Sequence, residues 1–282
     1  MSPVVQVSLN GSRTGADSAA VPMSPAELVE AAVRAVAAGA TEVLVHPRTP
    51  CGRESLSPRV VGPVVAALRA AAGVPVAVCA TVGAEPDPAA RLARVRSWEV
   101  LPDRAAVGWS EPGVPELTAA LLERGVAVDA VLPYGGPAPV PHPAVRPVLL
   151  VGAGPGDRTW PGGRAGLRGG PGVWGGPGLR FRPGGGPYDA AARPDGGPAD
   201  GGPAQGEPVD DGPREGGPVE ASPLICGRDG AAWPAVRLAA ELRAGVRTGV
   251  GDVLHLPDGR PARSSAELVA AALAFARSRS GG

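Results

Sequence analysis

The stretch SPAELVEAAVRAVAAGATEVLVH, Ser24 to His46, decides the fold. Ser24 is an N-cap, Pro25 takes the first helical position, and Glu27 completes a capping box, so a helix opens here. Alanine-rich amphipathic sequence carries it to about Ala38, and Gly39 ends it. Glu42 to His46 is then a short apolar run that reads as a strand. Helix followed by strand is the unit of an α/β fold, and the rest of the chain repeats it.

Working outward, Val4 to Leu9 reads as the first strand. Beyond His46 a helix covers roughly Pro58 to Ala72, a strand Val74 to Ala80, and a helix Pro88 to about Trp98. A short strand follows at Ala105 to Gly108, then a helix from Val114 to about Arg124. Val126 to Leu132 and Val145 to Val151 are the fifth and sixth strands. Pro223 to Cys226 is the seventh, trailed by a helix from about Ala231 to Ala244. Thr248 to Val253 reads as the eighth, and a closing helix spans Ser264 to Arg277. Strands separated by helical patterns of this length predict βαβ units and a parallel sheet. Eight of them fit a (β/α)₈ TIM barrel. A doubly wound open sheet is the competitor, but the first βα turn, Asn10 to Gly15, lacks a GxGxxG phosphate loop, so the barrel is preferred.

One stretch breaks the alternation. Between Gly152 and Ser222 about half the residues are Gly or Pro, and Gly-Gly-Pro recurs, as at Gly169-Gly170-Pro171 and Gly216-Gly217-Pro218. Nothing apolar recurs there with a period that a core could use, and the expectation is a disordered low-complexity tract. It stands where the sixth barrel helix belongs. The organisation expected is residues 1–151 for strands one to six, 152–222 for the insert, and 223–282 for the two strands that complete the same domain.

Composition narrows the chemistry. The chain of 282 residues has no lysine, so Schiff-base, pyridoxal-phosphate and Walker-A chemistry are excluded. Net charge is zero and aromatics are 3%, which argues against a nucleic-acid partner. No apolar run approaches the ~20 residues that span a bilayer. The N-terminus shows no signal-peptide pattern, and the three cysteines are too few for a disulfide framework, so a cytoplasmic protein is expected.

In a barrel, chemistry sits where strands end and βα loops begin. Asn10 and Arg13 follow the first strand, His46 and Arg48 the second, and Arg247 and Asp252 bracket the eighth. Read alone, His46 suits a hydrogen-bonded structural histidine as well as a ligand. Arg247 with Asp252 suits a surface ion pair, and Asn10 with Arg13 a turn residue and a solvated base.

Taken in order, these residues resemble a known family. Asn10-Gly11-Ser12-Arg13-Thr14, Ser24-Pro25-Ala26-Glu27-Leu28, Val45-His46-Pro47-Arg48 and Gly52-Arg53-Glu54-Ser55-Leu56 are similar to the β-keto acid cleavage enzymes, which include the 3-keto-5-aminohexanoate cleavage enzyme. Arg96-Ser97-Trp98, Trp109-Ser110-Glu111-Pro112-Gly113, Ala231-Ala232-Trp233-Pro234 and Arg247-Thr248-Gly249-Val250-Gly251-Asp252 continue the likeness.

The resemblance implies a barrel that holds a divalent metal, usually Zn2+, and exchanges acyl groups between a β-keto acid and an acyl-CoA. It also implies a homo-oligomer. By resemblance Asp252 is the base and Arg247 holds anionic charge, while Asn10, Arg13, Arg48, Thr81 and Glu111 bind substrate. His46 is the second histidine of the family's zinc-binding pair. The first falls at Leu44, the glutamate ligand at Gly251, and the strand-seven histidine at Cys226. Two readings therefore stay open. One is a working enzyme whose site is rebuilt from His46, Cys226 and Asp252, with Cys79 as a further ligand. The other is a non-catalytic relative that binds an anionic metabolite through Arg13, Arg48 and Arg247.

Overall fold

The computed structural model describes residues 3–136, 139, 142–152 and 223–279. Strand β1 is Val5–Ser8, followed by helix α1, Pro25–Ala37. The capping box forms as expected: the Glu27 amide donates to Ser24 Oγ at 3.3 Å, and the Ser24 amide donates to Glu27 Oε2 at 2.9 Å. Next come β2 (Glu42–Val45), α2 (Pro58–Ala72), β3 (Val76–Cys79), α3 (Pro88–Arg96), β4 (Arg104–Gly108) and α4 (Val114–Glu123). Then β5 (Ala127–Pro133) and β6 (Val145–Val151) follow with no helix between them among the described residues. The chain finishes with β7 (Leu224–Gly227), α5 (Ala232–Leu242), β8 (Gly245–Thr248) and α6 (Ser265–Arg279).

All eight strands are parallel and close a barrel in chain order, β8 returning to β1. Strands β7 and β8 thus complete the sheet that β1 to β6 begin, as the TIM-barrel reading expects. Beyond Gly152, the Gly/Pro-rich tract and the disorder expected for it lie outside the described residues.

The eighth strand needs correcting. It is Gly245–Thr248, not Thr248 to Val253, so Arg247 lies within it and Asp252 stands four residues past its end. The chain leaves the sheet at Gly249, whose φ of 148° and contact with the Ser8 carbonyl, 2.2 Å from where a Cβ would stand, suit only glycine. Val250 and Val253 read as strand because they are apolar. In fact they pack with Val21, Ala232, Ala262 and Leu268 in a separate cluster outside the sheet.

The main core lies between the outer face of the sheet and the helices, with Val7, Val43, Val78, Leu68, Trp98 and Leu121 fully buried in it. Inside the barrel, a charged layer fills the end where the strands begin. Arg146 Nη2 lies 2.9 Å from Asp129 Oδ2 and 2.7 Å from Glu42 Oε2. Arg104 Nε is 2.6 Å from Asp129 Oδ1, and Gln6 Nε2 donates to Asp129 at 2.9 Å. Burial pushes the Asp129 carboxyl up, but Arg146 and Arg104 outweigh it and hold its pKa below the ordinary value. Above this plug, Leu44, Ala77, Cys79 and Ala106 form a small apolar layer. Only the opposite end of the barrel is left for a site.

Candidate functional site

The site is built where the strands end. The β2–β3 register pairs Leu44 with Ala77 and Val45 with Val78. One step further sets His46 beside Cys79, on the barrel face that Leu44 and Ala77 share. The His46 imidazole thus neighbours the Cys79 thiol in register, and its Nδ1 lies 3.0 Å from Glu54 Oε2. Both His46 and Cys79 are only 6% exposed.

A tight loop brings Glu54 back over the ring. The Thr49 amide donates to the Arg53 carbonyl at 2.8 Å, the Ser55 amide to the Pro47 carbonyl at 2.9 Å, and Gly52 makes the turn with φ 81°. Burial works against the imidazolium, but Cys79 and Glu54 outweigh it and hold the His46 pKa up to about 9. Burial likewise pushes the Cys79 thiol up, and His46 beside it wins, lowering it below the usual thiol value.

Asn10 fixes this histidine from the neighbouring loop. Its Nδ2 donates to the His46 carbonyl at 2.9 Å, and its Oδ1 accepts from the His46 amide at 3.0 Å. Thr81 Oγ1 lies 3.4 Å from Cys79 Sγ. On the other side of the mouth, Arg247 Nη2 donates to Cys226 Sγ at 3.1 Å, and burial pushes the Cys226 thiol up. Arg247 Nε stands 3.7 Å from Asp252 Oδ2, and neither atom has a hydrogen-bond partner among the described residues.

The remaining sequence candidates are engaged in holding loops. Arg48 donates to the carbonyls of Gly11, Arg13 and Gly52, at 2.8, 2.9 and 2.7 Å. Arg13 pairs with Asp229 and donates to the Asp252 carbonyl at 3.1 Å. Glu111 pairs with buried Arg91 at 2.9 Å and accepts from the Val82 amide at 3.0 Å. Its carboxylate occupies the space beside Gly108, where an added Cβ would meet Glu111 Oε1 at 2.4 Å.

These residues do not suit zinc. Leu44 is 2% exposed within the apolar layer and offers no ligand atom. At Gly251 an added Cβ would meet Ser8 Oγ at 2.3 Å and the Gly11 amide at 2.6 Å, so no glutamate fits there. His46 is committed to Glu54 and Cys79, and a guanidinium lies against Cys226 and Asp252, where a dication would be repelled. No group of three or more His, Cys, Asp or Glu side chains able to hold a metal forms among the described residues. The rebuilt ligand set of His46, Cys226, Asp252 and Cys79 is therefore not assembled. Instead the fold divides it, His46 with Cys79 and Cys226 with Arg247.

Sequence alone does not mark Glu54 as a site residue, and it offers Cys79 as a further metal ligand. Their signal was present, since His46 with a glycine-turned loop returning a carboxylate is a local pattern. Only the strand register, however, brings Cys79 to the same ring.

A family model described as beta-keto acid cleavage enzyme matches residues 3–117 and 215–281. No curated protein matches the chain. The match takes in strands β1 to β4, β7 and β8 with the loops that build the mouth. On that match and a closed eight-stranded barrel, the chain belongs to the beta-keto acid cleavage enzyme family.

Proposed function

We propose that this chain exchanges acyl groups between a β-keto acid and an acyl-CoA, releasing a new CoA ester and acetoacetate or a relative. One observation carries the reading. Arg247 is a buried cation at the barrel mouth, ion-paired at 3.7 Å with Asp252, and its Nε and Asp252 Oδ2 both lack a hydrogen-bond partner among the described residues. Unfilled charged groups of this kind cost free energy unless a ligand completes them. A β-keto acid supplies both complements: its carboxylate answers Arg247, and its acidic C2–H answers the Asp252 oxygen as base.

The acyl-CoA would enter by a cleft of about 470 Å³ lined by Arg53, Arg94, Glu54, Ser55 and Gly83. Arg53 and Arg94 supply positive charge for the CoA phosphates, and Glu54 joins this cleft to His46. Since the family's metal ligands are replaced at Leu44 and Gly251, no step in this reading passes through zinc.

The test incubates the protein with acetyl-CoA and a panel of β-keto acids and separates CoA esters by chromatography with mass detection. A new CoA ester is expected, and Arg247→Ala should lower its rate at least ~100-fold, since a buried charge-assisted contact is lost. No new ester from any β-keto acid would overturn the reading. In its place would stand a non-catalytic relative that binds an anionic metabolite, which the replacements at Leu44 and Gly251 also favour. Binding of a β-keto acid measured by calorimetry without turnover would identify that case.

A further inference from the structure

The side chains that displace a metal site from the mouth form an arrangement with its own chemistry. The β2–β3 register sets the Cys79 thiol beside the His46 imidazole, and His46 Nδ1 lies 3.0 Å from Glu54 Oε2. This is the nucleophile, base and orienting acid relation of covalent acyl transfer. We propose that Cys79 is an acyl-accepting nucleophile, with His46 as its base and Glu54 as the residue that positions His46. It rests on the acyl-CoA half of the function proposed above and supplies the route by which a metal-free mouth would exchange acyl groups.

Four features distinguish this cysteine from an inert core thiol. Strand register sets it beside an imidazole and its sulfur lies 3.4 Å from Thr81 Oγ1, where a structural cysteine is enclosed by apolar groups. That imidazole is fixed on two sides, its ring by Glu54 and its backbone by the paired hydrogen bonds of Asn10. Arg247, buried at the same barrel mouth, keeps an Nε without a hydrogen-bond partner among the described residues, a donor for an oxyanion developing at an attacked carbonyl. Beneath the sulfur, Leu44, Ala77 and Ala106 make an apolar floor suited to a short acyl chain. By contrast Cys51 is exposed, its sulfur 3.0 Å from Thr49 Oγ1.

The steps balance without an oxidant or reductant. His46 takes the Cys79 proton, and Sγ bonds to the carbonyl carbon of the acyl-CoA. The bond from that carbon to the CoA sulfur breaks, and the CoA thiolate takes the proton from His46. Asp252 removes a C2 proton from the β-keto acid, and the carbanion takes the acyl group from Sγ, which leaves as thiolate. Attack of that thiolate on the original keto carbon breaks its bond to C2, which regains the proton from Asp252. His46 takes the thiol proton of CoA as its sulfur attacks the acyl group now on Cys79; the bond to Sγ breaks, the Cys79 thiolate takes the proton from His46, and the new ester leaves.

The experiment supplies acetyl-CoA alone, with no β-keto acid, to the full chain. After an acid quench, proteolysis and mass spectrometry should find one acetyl group, on the Cys79 peptide. Isotope-labelled CoA should also enter acetyl-CoA under the same conditions. Cys79→Ser and His46→Asn should each lower that isotope exchange at least ~100-fold. Cys51→Ser should leave it unchanged. Glu54→Gln should lower the exchange with the melting temperature held, and Glu54→Asp should restore part of it, which separates positioning from folding.

An acetyl group on no cysteine, or on Cys51 alone, overturns the proposal, and this readout on the unaltered chain does not depend on any variant folding. Exchange that survives Cys79→Ser overturns it too. New CoA esters in the full assay without a Cys79 adduct would sink this proposal and leave the function standing. An adduct on Cys79 with no new ester from any β-keto acid would do the reverse.

Discussion

The Gly251 amide donates to the Ser8 carbonyl at 3.1 Å, and a Cβ on Gly251 would come within 2.3 Å of Ser8 Oγ. This contact seats the loop after β8 directly on the end of β1. It also closes the space where the family pattern carries a glutamate. The replacement at 251 is therefore built into the packing of the mouth and is more than a missing ligand.

It follows that restoring the family ligands will fail. Gly251→Ala alone should destabilise the fold by ~1–3 kcal/mol, the usual cost of overpacking a tight contact. The double variant Leu44→His with Gly251→Glu should hold well below one zinc per chain when metal content is measured after gel filtration. A full zinc per chain would show that the loops can part, and that the fit argument is wrong.

Asn10 ties the β1 loop to His46 by two buried hydrogen bonds. Asn10→Ala leaves both the amide and the carbonyl of His46 without these partners, at a cost of ~1–3 kcal/mol for each unsatisfied group. Thermal melting should register the loss. Acyl exchange should fall further than the melting shift accounts for, because the imidazole loses its fixed seat.

Asp129 is the centre of the charged layer at the closed end of the barrel. Asp129→Ala leaves Arg146 and Arg104 buried with less compensation and should cost ~3–5 kcal/mol in a urea titration. The pH sign follows from its depressed pKa. A carboxyl held below its ordinary value of 3.8 gives its stabilisation in full above that value and loses it as pH falls through the folded pKa. The gap in urea midpoint between the native chain and Asp129→Asn should therefore hold from neutral pH down to about pH 4 and shrink below it. A gap that stays constant would place the stabilisation elsewhere.

Trp98 is 1% exposed, and its indole Nε1 donates to the Leu56 carbonyl at 2.9 Å. It locks the C-terminal end of α3 to the loop that carries Glu54. Trp98→Ala should cost ~3–5 kcal/mol as a large cavity opens. Trp98→Phe should recover most of the packing while leaving that carbonyl unpaired, so its melting temperature should fall between the two.

Local chemistry wrote most of the barrel into the chain. Ser24, Pro25 and Glu27 specify where α1 begins regardless of what packs on it, because a capping box is satisfied within four residues. Pro58, Pro88 and the apolar runs between them are legible for the same reason. Val250 and Val253 misled the reading, since an apolar pair looks the same whether it lines a sheet or fills a satellite cluster. Gly249, which turns the chain out of β8, is decided by the Ser8 carbonyl more than two hundred residues away in sequence.

The site divides along the same line. His46, Arg247 and Asp252 could be named from position alone, because parallel strands must end at the mouth of a barrel. What the sequence could not determine was which groups they meet. The β2–β3 register puts Cys79 on His46, a glycine-turned loop lays Glu54 on its other side, and the pairing of β7 with β8 brings Arg247 to Cys226. Hydrogen bonds and ion pairs act over a few ångströms of space, and strand register and barrel closure set those distances. Tertiary structure alone therefore decided that this mouth joins a thiol, an imidazole and an arginine where the family pattern would gather ligands for a metal.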